Sequence, residues 1–273
     1  MELTVRGSGV SATTGGRDLD QRLPLLVFIH GAALDKTTWQ LQTRYFAHHG
    51  FSVLAVDLPG HGSSDGPVLG AVEDYADWVA ELVDAAGFGE AHLVGHSMGA
   101  LIALEAAARH PHRVSTLTMC GGAAAIRVHP GLLAASEQGE HLAYELLSSW
   151  GHGKPFHLGG HQTPGLWMMG GTIRLWERAP TGVLASDLHA CNDYDCGAEA
   201  AGRVRCPALL IRGSQDIMTP SRAAAPLREH MADLQEVTID GAGHIMMVER
   251  PDQVIDAIAG FLRGPDEGSS SSA

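Results

Sequence analysis

At 273 residues, 45% of them apolar, the chain is long enough to bury a sizeable core, and wholesale disorder is excluded. Its formal charge is −13, from 31 acidic against 18 basic residues, and no Lys/Arg-rich run reverses the local sign. Such a surface repels nucleic acid and anionic membrane, so a small molecule is the expected partner.

The first residues lack a basic start followed by an apolar run, and no apolar stretch approaches a membrane span. A cytoplasmic protein without a membrane segment is expected. Residues 3–5 and 10–14 predict an antiparallel start. Leu25-Leu26-Val27-Phe28-Ile29 is a continuous apolar run, as in a strand buried on both faces. Residues 52–56, 91–94, 114–119, 208–211 and 236–239 repeat the pattern. Between them, Tyr75, Trp78, Val79, Leu82, Val83 and Ala86 recur at three- and four-residue steps, the stripe of an amphipathic helix. A second helix is expected over 98–110, stopped by Pro111, and a closing one over 251–262 with Pro251 in its first turn. The alternation predicts an α/β fold with a largely parallel sheet.

Residues 122–205 break it. No strand is evident there, Gly, His, Met and Trp accumulate, and helices are expected over 131–150 and 165–178. This reads as a helical cap (122–205) on a core of residues 1–121 and 206–263, with a disordered tail over 264–273. Cys120, Cys191, Cys196 and Cys206 show no CxxC spacing, and His152, His157 and His161 match no zinc motif. No metal and no cofactor are expected. Oligomeric state is left open.

Gly95-His96-Ser97-Met98-Gly99 fits the pattern Gly-x-Ser-x-Gly. The string alone is weak, because Gly62-Ser63-Ser64-Asp65-Gly66 matches it too. Context separates them: Ser97 stands between a predicted strand and a predicted helix, whereas Ser64 runs into Pro67 and reads as a surface loop. A serine hydroxyl needs a base to take its proton, and the base needs a carboxylate to hold its far nitrogen. His244 and Asp216 both stand after predicted strands and suit these roles. Asp57 and Asp240 also follow strands and rank below Asp216. Asp57 precedes the serine, and Asp240 lies four residues before His244. For the oxyanion, one backbone N–H is expected from Met98 and another from Ala32, with Ala33 as the fallback. His96 and His30 read as scaffold. Leu34, Trp167, Met168, Met218 and Ile245 are candidates to line an apolar substrate pocket.

His30-Gly31, the run Asp57 to Ser64, Gly95 to Gly99, Gly213-Ser214-Gln215-Asp216 and Gly243-His244 together resemble the α/β-hydrolase superfamily, over about residues 25–262. Asp187-Leu188-His189-Ala190-Cys191-Asn192 shares in the likeness. The resemblance implies a mostly parallel eight-stranded sheet, helices on both faces, and a helical cap inserted after the sixth strand. Haloalkane dehalogenases and epoxide hydrolases of that superfamily carry aspartate at the position of Ser97. Its carbon–carbon hydrolases usually have a Ser-Gly-Pro-Gly-like loop where Ala32-Ala33-Leu34-Asp35 stands, and its proline iminopeptidases a tryptophan in place of Met98. What remains implies a serine esterase acting on a small to medium apolar carboxylic ester. The alternatives are a lactonase or carbon–carbon hydrolase with the same triad, or a ligand receptor with slow turnover.

Overall fold

Runs of Val, Leu and Ile too short for a helix are stable as strands covered on both faces. In the computed structural model, which describes residues 2–161 and 165–264, eight strands among the described residues form one sheet. They are β1 (Glu2–Val5), β2 (Ser8–Thr13), β3 (Leu25–Ile29), β4 (Ser52–Val56), β5 (Ala91–His96), β6 (Val114–Cys120), β7 (Ala208–Gly213) and β8 (Leu234–Ile239). The spatial order is β1-β2-β4-β3-β5-β6-β7-β8. The β1–β2 and β2–β4 pairs are antiparallel, and all later pairs are parallel. The expected tail from 264 onward lies, past Gly264, outside the described residues.

The helices are α1 (Gln40–Ala47), α2 (Val72–Ala85), α3 (Met98–Arg109), α4 (Pro130–Glu137), α5 (Leu142–Gly151) and α6 (Met168–Trp176), then α7 (Val183–Asp193), α8 (Gly197–Arg203), α9 (Ala225–His230), α10 (Met246–Glu249) and α11 (Pro251–Arg263). Alternate residues of β3 feed two cores, as the strand period of two requires. Leu25, Val27 and Ile29 pack with Val72 and Trp78 of α2 and Leu101 and Leu104 of α3. Leu26 and Phe28 pack with Phe46 of α1 and Val254 and Ile258 of α11. None of the described helices is long and apolar enough to cross a membrane.

Among the described residues, the segment between β6 and β7 carries α4 to α8 and no strand. The single helix expected over 131–150 is two, because the chain turns at Gly139, in the left-handed region at φ 67°. Not all of this segment overhangs the sheet. α8 packs beside α3, its Ala200 and Ala201 belong to the α2/α3 core, and Gly197 closes directly on the backbone of Ala124.

In the other core, the Phe28 ring lies 5.1 Å from that of Trp39 and 6.0 Å from that of Phe46. Phe28→Ala removes a fully buried ring shared by sheet and helix layer, and is expected to lower the unfolding free energy by about 3–5 kcal/mol. Urea denaturation monitored by circular dichroism measures this; a loss below about 1 kcal/mol would contradict the packing described.

Candidate active site

The order of the sheet reverses at β3, whose neighbours are β4 on one side and β5 on the other. Loops leaving the carboxyl ends of strands diverge at such a point and leave a crevice. β5 ends at His96, and α3 begins at Met98, so a single residue makes the turn. That residue, Ser97, is held at φ 55°, ψ −116°, a strained backbone for a non-glycine. The crossing is so close that a Cβ on Gly95 would lie 2.0 Å from the carbonyl oxygen of Gly99. One on Gly99 would lie 2.4 Å from that of Ile29. Glycine is required at both places.

Asp216 lies in the loop after β7 and His244 in the loop after β8. They meet: His244 Nδ1 and Asp216 Oδ2 are 2.8 Å apart. Asp216 Oδ1 accepts from the backbone N–H of Met218 and Thr219, both at 2.9 Å, and Oδ2 accepts from the Thr219 hydroxyl at 2.7 Å. Burial pushes this carboxyl up, but the charge and hydrogen bond of His244 and the donors of Thr219 outweigh it. Its pKa ends well below the ordinary carboxylate range. The acid is thus ionised and rigid. The far nitrogen of the ring, His244 Nε2, is buried without a hydrogen-bond partner among the described residues, and His244 lines the same cavity as Ser97. Apo sites commonly leave this bond to be closed by substrate.

Ser64 is excluded from such a role by its contacts. Its hydroxyl donates to Asp57 O and accepts from Ser11 N, tying a loop to β2. Asp57 accepts from Lys36 N and Ser63 N, and Asp240 from the Ser214 hydroxyl, so neither competes with Asp216. His96 Nε2 lies 3.0 Å from His244 O. His30 bridges Gly31 O at 2.8 Å and Leu58 N at 3.1 Å, and burial beside His61 lowers it to about 4, so it stays neutral. Both histidines hold loops. After β3, the Ala33 N–H is committed to Asp187 Oδ2 at 2.7 Å, whereas Ala32 N–H has no partner among the described residues. Of the two oxyanion donors weighed in this loop, Ala32 is the one left free.

A profile of the alpha/beta hydrolase family matches residues 26–257. The chain belongs to that family. Among proteins similar to it, the (E)-2-((N-methylformamido)methylene)succinate hydrolase of Acinetobacter baylyi is 25% identical over 87% of this chain and 89% of its own length. The pimeloyl-[acyl-carrier protein] methyl ester esterase of Chromobacterium violaceum is 31% identical over 86% and 90%. Among solved structures, the enol-lactonase from Burkholderia xenovorans LB400 superposes with a TM-score of 0.85 at 23% identity, covering 96% of this chain and 100% of that one.

In this α/β-hydrolase the cavity at Ser97 measures about 270 Å³. Leu34, Met218 and Ile245 line it together with Leu132, Leu147 and Trp176. Trp167 and Met168 do not. They line a neighbouring groove behind Leu34 and Ile245, and Trp167 is 64% exposed. Hydrophobicity at helical spacing marked them, but it gives no direction, and of this stretch it is Trp176, at the end of α6, that lines the cavity. Arg127, overlooked in the sequence, also borders the cavity. Among the described residues no group of three or more His, Cys, Asp or Glu could hold a metal ion.

One buried carboxyl beside the site also escaped notice. Glu249 accepts from Gly243 N at 2.7 Å and Gly153 N at 3.2 Å. Burial raises it from 4.5 to about 7 despite those donors. The folded protein then holds this proton more tightly than the unfolded chain, so the group's contribution to stability declines as pH rises from about 4.5 to about 7. Buried His30 and His152, each lowered to about 4, act in the opposite direction. They cancel when wild type is compared with Glu249→Gln. The wild-type unfolding free energy minus that of the variant is expected to fall by up to about 3 kcal/mol between about pH 4.5 and 7.5. Urea titrations across that range read it; a difference independent of pH would contradict the assignment.

Proposed function

We propose that this α/β-hydrolase is a serine hydrolase that cleaves a small to medium, apolar carboxylic ester through an acyl-enzyme. What carries the reading is the buried Asp216–His244 pair facing a cavity that Ser97 also lines. Ser97 Oγ attacks the ester carbonyl, and His244 Nε2 takes the hydroxyl proton while Asp216 steadies the imidazolium. The C–O bond to the alcohol breaks as that proton passes to the leaving oxygen. Water then adds to the acyl carbon, giving its proton to His244, and the Ser97–acyl bond breaks to free the acid as His244 returns that proton to Ser97 Oγ. The N–H groups of Ala32 and Met98 receive the oxyanion in both steps, each worth about 3–4 kcal/mol.

The ester specificity is supported by the esterase relative at 31% identity and by the mostly aliphatic wall of Leu34, Leu132, Leu147, Met218 and Ile245. No step in this scheme calls for a metal or cofactor.

Ser97→Ala is expected to abolish both the hydrolysis of p-nitrophenyl butyrate and the covalent labelling by a fluorophosphonate probe. Labelling at the wild-type level would end the assignment. Asp216→Asn is expected to lower kcat by about 10⁴ while the circular dichroism spectrum is retained, because an amide stabilises the wrong tautomer of His244. A loss of tenfold or less in steady-state kinetics would remove Asp216 from this role.

A further inference from the structure

Ala32 N–H serves as an oxyanion donor only if its peptide is fixed before substrate arrives, since a donor that must reorient loses most of its effect. The two peptides around Ala32 are held on every side but that one. The Gly31 carbonyl accepts from Leu34 N at 3.1 Å and lies 2.8 Å from His30 Nδ1. The next peptide is gripped from the helical segment between β6 and β7: its carbonyl, Ala32 O, accepts from Trp176 Nε1 at 3.1 Å. Its N–H, on Ala33, donates to Asp187 Oδ2 at 2.7 Å. Ala33 is itself held at φ 50°, in the left-handed region that few non-glycine residues adopt.

Asp187 is fully buried, as is His61, whose Nε2 lies 2.8 Å from the same Oδ2. The other ring nitrogen of His61 lies 3.0 Å from Pro59 O. Both nitrogens therefore face acceptors, and the ring carries both protons. An imidazolium and a carboxylate buried together, far from the Asp216–His244 pair in sequence, have no part in the acyl-transfer chemistry. A buried charge pair is weak evidence for stability, since apolar residues of the same volume serve as well. Its consequence here is directional: it fixes one acceptor atom against the Ala33 N–H.

We propose that Asp187, oriented by His61, and Trp176 are positioning residues that clamp the Ala32–Ala33 peptide and so pre-set the oxyanion donor of the preceding one. The proposal rests on Ser97 being the nucleophile. The oxyanion hole of this protein is thus completed by the helical segment, not by the sheet loops alone.

The test compares wild type, Asp187→Ala, Asp187→Asn and Trp176→Phe. The readouts are p-nitrophenyl butyrate kinetics and inhibition by an aryl trifluoromethyl ketone, whose hemiketal with serine places an oxyanion in the hole. Asp187→Ala is expected to lower kcat by about 10- to 100-fold, leave KM within about threefold, and weaken the ketone by the same factor as kcat/KM. Asp187→Asn keeps an acceptor for Ala33 N–H and is expected to recover most of the loss. Should Asp187→Ala not fold, Trp176→Phe decides: it keeps the aromatic volume, removes one donor, and is expected to lower kcat and ketone affinity in parallel. A fall in kcat with unchanged ketone affinity, or unchanged kcat in every variant, overturns the clamp alone. A wild type that neither turns over ester nor binds the ketone overturns the serine reading and the clamp with it.

Discussion

A single non-glycine residue with positive φ sets the geometry of this site. Ser97 at φ 55° reverses the chain between β5 and α3 without an intervening loop residue. Three consequences follow. Ser97 lines the cavity, the Met98 N–H at the start of α3 has no backbone partner among the described residues, and α3 must cross β3 at backbone contact distance. The last demands glycine at 99, and the closeness of β5 to the first turn of α3 demands it at 95. It also brings the loop after β3 against the serine: a Cβ on Gly31 would lie 3.2 Å from that of Ser97. Strain at Ser97 is therefore coupled to the placement of Ala32, and the sheet order puts both at the crevice where the strands diverge.

The helical segment between β6 and β7 is fastened to the loops after β3, β7 and β8. The Gly151 carbonyl accepts from His244 N at 2.7 Å and Ile245 N at 3.1 Å, setting the direction of the imidazole. Lys154 N donates to Gln215 Oε1 at 2.9 Å beside Asp216, and Glu249 joins Gly153 to Gly243. Trp176 and Asp187 hold the loop after β3. A segment tied at so many backbone groups contributes to rigidity as well as to the apolar wall of the cavity. Preorganised donors of this kind are what electrostatic catalysis requires, because nothing needs to reorient as charge develops.

Much of this was legible in the residues. The buried strands were, because both faces are covered and the runs are uninterrupted. The serine turn was, because its glycines and serine stand between a predicted strand and a predicted helix, as those of 62–66 do not. Helices α1 and α7 were not: α1 buries Gln42 and Thr43, and α7 buries Asp187, so no clean apolar stripe marks either. Gln42 reaches Met247 O at 2.9 Å, a partner far away in sequence. The direction of Trp167, the split at Gly139 and the partners of Asp187 and Glu249 depend on tertiary placement, to which periodicity is blind. Asp187 carried a hint only through its neighbours in the family-like run from 187 to 192. Its reach to Ala33 spans 154 positions and no local pattern encodes it.

In the proposed mechanism the oxygen carried by the Ser97 adduct meets the backbone N–H groups of Ala32 and Met98. The most direct measurement is a crystal structure after reaction with diethyl p-nitrophenyl phosphate. The account predicts a diethylphosphoryl group on Ser97 Oγ, with its free oxygen about 2.7–3.1 Å from both Ala32 N and Met98 N. A phosphoryl group on another side chain, or one on Ser97 with its oxygen turned away from both N–H groups, would contradict it.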